Sequence, residues 1–98
     1  MGELRFSWDA RKAQVNLRKH GVSFEEAETV FLDEHGLLID DPDLTTDEQR
    51  FLLLGLSAVA RVLVVCHRVR DRGDNMRMIS ARRADKQEQG QYWERLKR

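Results

Sequence analysis

The chain has 98 residues, 41% of them hydrophobic, with 17 Lys+Arg balanced by 17 Asp+Glu and a single cysteine. That length buries one modest core and predicts a single domain over residues 1–98. The lone Cys66 excludes an internal disulfide; with no leader-type segment and no 18-residue apolar run to read, the expectation is a soluble protein of a reducing cytoplasm.

Zero net charge conceals a division along the chain. Residues 1–48 hold 5 Lys+Arg against 12 Asp+Glu, and residues 49–98 hold 12 against 5. Such segregation permits a positive surface for phosphates on a protein of unremarkable pI, unless the halves interleave in space and cancel.

In chain order, Leu4, Phe6 and Trp8 alternate with Arg5 and Ser7, which predicts a short half-buried strand. Asp9 suits an N-cap for a helix over Ala10–His20, and Gly21 is placed to end it. Ser23 followed by Glu26 reads as a capping box opening a second helix to Phe31, with Phe24, Ala27, Val30 and Phe31 on its apolar face. Leu37–Ile39 predicts a strand, followed by a polar turn or loop through Asp40-Asp41-Pro42-Asp43 and Thr45–Glu48. Arg50–Leu56 and Arg61–Val69 predict strands joined tightly around Ser57-Ala58, with the run Val62–Cys66 buried on both faces. Asp71–Asn75 predicts a hairpin turn into a strand over Met76–Ala81, and Ala84–Leu96 a closing charged helix. The order β-α-α-β-β-β-β-α predicts an α+β fold, a small antiparallel sheet with helices packed on it.

The densest motif lies in Trp8-Asp9, then Lys12, Asn16 and His20 at four-residue spacing, then Gly21-Val22-Ser23-Phe24-Glu25-Glu26-Ala27. On a helix that spacing stacks a cation, an amide and an imidazole on one stripe. Together with Arg50, Gly55, Ser57 and Arg61, and with Arg77, Ile79-Ser80-Ala81-Arg82 and Tyr92, this block resembles the BrnT family, the toxin half of the BrnT–BrnA toxin–antitoxin pair. The resemblance runs from Phe6 to Tyr92 and implies a RelE-like ribonuclease fold. It also implies Gly-Arg where this chain has Ala60-Arg61; the arginine is kept and the residue before it differs.

Three histidines, one cysteine and no cluster at ligand spacing predict no metal site and no cofactor. Metal-free RNA cleavage uses the substrate's own 2′-hydroxyl, and needs a base, cations for the phosphorane and an acid for the leaving oxygen. His20, beside Lys19 at a helix C-terminus, is either that base or a capping histidine. His67 shares a strand face with Arg61 and points either into the core or to a functional surface, while His35 reads as a solvated turn residue. Arg61 and Arg82, at the ends of neighbouring strands, present forks that hold a phosphate bidentately. Strict alternation puts Ser80 and Arg82 on one face and Arg77, Ile79 and Ala81 on the other. The resemblance implies active-site roles for Arg82, as the late-strand arginine, and for Tyr92, which otherwise packs its ring on the sheet. Trp8 and Trp93 either stack on bases or belong to the core. Arg68, Arg70, Arg72, Arg83, Lys86, Arg95, Lys97 and Arg98 read as a basic surface for RNA phosphates or an acidic partner segment.

The expected function is therefore a metal-independent endoribonuclease toxin with catalytic Arg61, Arg82, His20, His67 and Tyr92, and with Lys19, Trp8, Arg68, Arg70 and Arg77 binding RNA. The resemblance implies a BrnA-type antitoxin partner, a possible dimer in the complex, and contact with operator DNA only through that complex. The alternatives are a non-catalytic binding module for nucleic acid or protein, and a degenerate toxin kept for antitoxin binding. On the toxin reading, Arg61→Ala or Arg82→Ala relieves growth inhibition without unfolding the protein.

Overall fold

The computed structural model describes residues 4–40 and 50–97. The loop expected through Asp41-Pro42-Asp43 and Thr45–Glu48 lies outside them. The elements are β1 (Arg5–Ser7), α1 (Ala10–His20), α2 (Phe24–Thr29) with a 3-10 turn over Val30–Leu32, β2 (Leu37–Asp40), β3 (Arg50–Leu56), β4 (Val62–Arg70), β5 (Asn75–Arg83) and α3 (Lys86–Leu96). The α+β order is as expected. α3 starts at Lys86 where the sequence predicts Ala84, because Asp85 caps it: its carboxylate accepts from Glu88 N while Glu88 accepts from Asp85 N.

The strands form one sheet in the order β1-β5-β4-β3-β2. The meander from β2 to β5 is antiparallel throughout. The sheet as a whole is mixed, however, which corrects the all-antiparallel expectation: β1 pairs with β5 in parallel, Phe6 against Met76. Two helices carry the chain from the β1 edge to the far edge, and the returning meander brings β5 alongside β1 running the same way.

Cores lie on both faces. Val22, Phe24, Ala27 and Val30 of the helical segment pack on Leu53, Leu63, Val65, Met78 and Ala81. On the other face, Tyr92 of α3 packs with Leu54, Val62, Val64 and Ala84. β4 supplies both, its odd positions to the first and its even positions to the second, as the continuous apolar run predicts. Gly55 permits the closest approach, since a Cβ there would lie 2.8 Å from Val30 Cγ1 in the core.

β5 carries an irregularity that alternation alone does not reveal. Its register against β4 jumps from Cys66↔Ser80 to His67↔Met78, leaving Ile79 as an extra residue. Met78 and Ala81 thereby both face the helical core, although their separation is odd. Arg77 accordingly falls on the same face as Ser80 and Arg82, correcting the expectation that it lies opposite them.

α1 docks through a buried amide. Asn16, 6% exposed, donates to Val22 O at 2.9 Å and to Ala81 O at 2.8 Å, and accepts from Ala81 N at 3.0 Å. β1 pairs with β5 only as far as Arg77, so this side chain satisfies the backbone of β5 where the neighbouring strand has ended.

The turn before β4 places Ala60 at φ 64°, in the left-handed region. A Cβ there costs about 1–2 kcal/mol, which explains why glycine is the residue implied at this position. Ala60→Gly relieves that strain and returns part of the gain as unfolded-chain entropy. We expect a net stabilisation of about 0.5 kcal/mol or more, read as a higher denaturation midpoint; an unchanged or lower midpoint would contradict the strain assignment.

Candidate nucleic-acid interface

Consider first the positions expected to cut RNA. Arg61 enters β4 and turns toward α2: its Nε donates to Glu26 Oε2 at 3.0 Å, its Nη2 pairs with Glu26 Oε1, and Nη2 also donates to Gly21 O at 3.1 Å. Ser57 Oγ donates to Glu26 Oε2 at 2.7 Å. Glu26 therefore does not close the expected capping box; Ser23 caps Glu26 N, but the carboxylate is taken by Arg61 and Ser57. The Arg61 hydrogen bonds, more than the opposing effect of burial, hold the Glu26 carboxyl below its ordinary value.

Arg82 is engaged in the same manner on the opposite face. Its Nη1 and Nη2 donate to the two Glu88 oxygens, each at 2.8 Å, tying β5 to the first turn of α3. Tyr92 is 1% exposed and donates to Asp33 Oδ2 at 2.6 Å, an oxygen that also accepts from Leu56 N at 2.8 Å. Burial, and then donation to Asp33, push the Tyr92 phenol up to about 12. His67 is also 1% exposed, edge-on to Phe31 at 4.8 Å and stacked on Phe51 at 6.0 Å. Burial holds this imidazole below its ordinary value. Trp8 packs edge-on to Phe24 at 5.7 Å, beside the helical core, whereas Trp93 stays 44% exposed. His35 is exposed. These positions do not converge: Arg61 serves the helical face, Arg82 and Tyr92 the α3 face, and His67 the core.

What the fold does bring together is a row of arginines. On β4 the even positions read Val62, Val64, Cys66, Arg68, Arg70, apolar beneath α3 and cationic beyond it. Arg68 lies opposite Arg50 of β3 and opposite Arg77 of β5, so three guanidinium side chains share one face of three adjacent strands. Strand spacing makes that row about 10 Å across. Arg70 stands in the next row, opposite Asn75, which is itself aligned with Arg5. Arg5 is paired with Asp71 at 3.3 Å, and Arg50 Nη2 lies 3.6 Å from Cys66 Sγ. Arg77 has no carboxylate within ion-pair distance among the described residues. Register sets Arg77 on the same side as Arg68 and Arg70, although alternation predicts it on another face than Ser80 and Arg82 and outside the sequence reading of the basic surface. Arg50 and Arg5 escaped that reading, although pairing the alternate positions of β4 with its hairpin partners would have found Arg50.

A groove of 310 Å³ adjoins this face at the β5 edge, between α1 and Ile79-Ser80. Lys12, Lys19 and His20 line it, with Asn16 at its floor. The predicted Lys12–Asn16–His20 stripe thus exists, with its middle member turned inward to hold β5. Ser80 joins the two regions, opposite Cys66 on the arginine face and lining the groove. Among the described residues, no three His, Cys, Asp or Glu side chains form a metal-binding group, and no helix is long and apolar enough to cross a membrane.

Two expected outcomes follow from this geometry. Arg61→Ala deprives a nearly enclosed carboxylate of its partner and is expected to cost about 2 kcal/mol, measurable by chemical denaturation; Arg61 and Arg82 hold the fold as well as carrying charge, so alanine at either position changes more than a site. The depressed His67 value makes stability complete above its unfolded-state value near 6.5 and declining as pH falls below it. Glu26 and Glu88, both lowered from 4.5, lose their contribution only at more acid pH. Melting temperature should therefore fall between neutrality and about pH 5.5, and His67→Leu should flatten that limb; an equal slope in the variant would sink the assignment.

Comparison with known proteins bears on these features. The sequence matches no curated protein. The crystal structure of the Brucella abortus ribonuclease toxin BrnT is similar in fold, with a TM-score of 0.64 and 21% sequence identity, covering 85% of this chain and 99% of that one. Residues 8–88 match the family model described as the ribonuclease toxin, BrnT, of type II toxin-antitoxin systems. With most of its length matched, from Trp8 through the helical pair, the meander and the first turn of α3, the chain belongs to the BrnT family of ribonuclease toxins.

Proposed function

We propose that this chain cleaves RNA without a metal, arresting translation and growth, on the face that carries Arg50, Arg68 and Arg77. The alignment of those side chains across three strands is the observation that carries the reading. A phosphodiester bridging them meets fixed positive charge where negative charge accumulates as the phosphorane forms. The substrate's 2′-oxygen forms the new bond to phosphorus and the bond to the 5′-oxygen breaks. The 2′-hydroxyl proton passes to a base, and an acid protonates the leaving oxygen, giving a 2′,3′-cyclic phosphate and a 5′-hydroxyl.

In this reading Arg68, Arg70 and Arg77 grip the phosphates, and His20 lines the groove at the β5 edge beside them. Arg61, Arg82 and Tyr92 act as positioning residues through Glu26, Glu88 and Asp33. His67 and Trp8 support the sheet from the other side.

A type II system supplies a protein antitoxin for its toxin. We infer a BrnA-type antitoxin with a ribbon-helix-helix part, which neutralises the toxin by covering the basic face, dimerises the complex and alone contacts operator DNA. The test is RNA incubated with purified protein in excess chelator. Cleavage to cyclic-phosphate ends is expected, with Arg77→Ala reducing the rate about 100-fold; intact RNA, or cleavage that requires added metal, would refute the reading.

A further inference from the structure

The α1 stripe singled out in the sequence has no part in gripping the scissile phosphate, yet it is built as a site. α1 carries no acidic residue. Lys12 and Lys19 are seven residues apart on one helix face, so they stand about 10 Å apart along the groove. Between them Val15, half exposed, faces Ile79, the residue that the β5 irregularity leaves without an opposing partner. Two cations separated by an apolar wall match the alternation of phosphate and base along one nucleic-acid strand. The 310 Å³ of space lies at the lower end of the range for small-ligand sites, about 300–1,000 Å³, and suits one nucleotide but not a duplex.

The groove is also continuous with the arginine row. Ser80 belongs to both. Asp9, at the N-terminus of α1, is held below its ordinary value chiefly by the Lys12 amide, and the charges of both Lys12 and Arg77 contribute. One carboxylate thus senses the first cation of the groove and the last arginine of the row.

We propose that the groove between α1 and β5 is a second RNA subsite, which receives the strand continuing past the arginine row and restricts the substrate to single-stranded RNA. It rests on the ribonuclease reading of the sheet face. Helix α1 is exposed on this side, so its lysines are replaceable without disturbing Asn16.

Non-cleavable 2′-O-methyl RNA separates the two ideas. Fluorescent single strands of about four and about ten nucleotides, and a duplex of the longer length, are titrated into the protein at several salt concentrations by anisotropy. For the double variant Lys12→Gln, Lys19→Gln, affinity for the longer strand should fall about tenfold. Its salt slope should become shallower by about 1.4, about 0.7 for each phosphate that the variant no longer neutralises. The short strand should bind unchanged, and the duplex should bind wild type more weakly than the longer single strand. Arg77→Ala should weaken both strands. If Arg77→Ala weakens both while the lysine variant weakens neither, or weakens both equally, the groove is not a separate subsite and the sheet-face reading stands. A duplex that binds as tightly as the single strand also overturns the inference. If wild type binds no strand, or Arg77→Ala changes nothing, the sheet-face reading itself fails. Thermal melting of each variant confirms that the fold is retained.

Discussion

One extra residue in β5 governs both faces of this sheet. With Ile79 inserted, Met78 and Ala81 point to the same core, and Arg77, Ser80 and Arg82 share the other side. Strict alternation would have forced a choice: keeping Met78 in the core would expel Ala81 and turn Ser80 and Arg82 inward, and keeping Ala81 would expel Met78 and turn Arg77 inward. An arginine in that core would lose hydration with no carboxylate to replace it, a far larger penalty than one local distortion of the ladder. The irregularity therefore fixes where charge can accumulate.

The ends of the sheet are held by polar contacts with equally specific placement. Asn16 substitutes its amide for a neighbouring strand at Ala81, Arg61 links the β3–β4 turn to α2 through Glu26, and Arg82 links β5 to α3 through Glu88. Asp33 gathers the Tyr92 hydroxyl and the Leu56 amide at the remaining corner; burial raises its carboxyl, but the donated hydrogen bonds outweigh that effect and hold it below its ordinary value. Removing the partner of Asn16, Glu26 or Tyr92 leaves an enclosed polar group orphaned, so the value of those contacts lies chiefly in what their removal would expose, whereas Arg82 and Glu88 stay accessible to solvent. These contacts also explain why residue types suited to catalysis sit at positions where they hold elements together.

Much of the architecture is legible in the chain. Asp9, Gly21 and Ser23 mark helix ends because their side chains or backbone freedom satisfy terminal groups locally. The turn over Asp71–Asn75 and the apolar run of β4 predict the hairpin and the central strand for equally local reasons. Partner choice is not local. Glu26 stands where a capping box would use it, but a guanidinium 35 residues away competes for its carboxylate, and a bidentate ionic contact prevails over a single neutral amide. His67 illustrates the same limit: alternation fixed its face, and only the rings of Phe31 and Phe51 decided that this face is sealed.

The sequence by itself determined the element order, the helix caps, the acidic and basic halves and the motif blocks that mark the BrnT family, because these depend on short-range sterics, hydrogen bonding and residue identity. Only the tertiary structure decided which cations gather. The parallel docking of β1, the extra residue at Ile79 and the pairing of β3, β4 and β5 set Arg50, Arg68 and Arg77 in one row and turned Asn16 inward beneath Lys12 and Lys19. Register acts between residues distant in the chain, and shifting it by a single position moves a side chain to the opposite face.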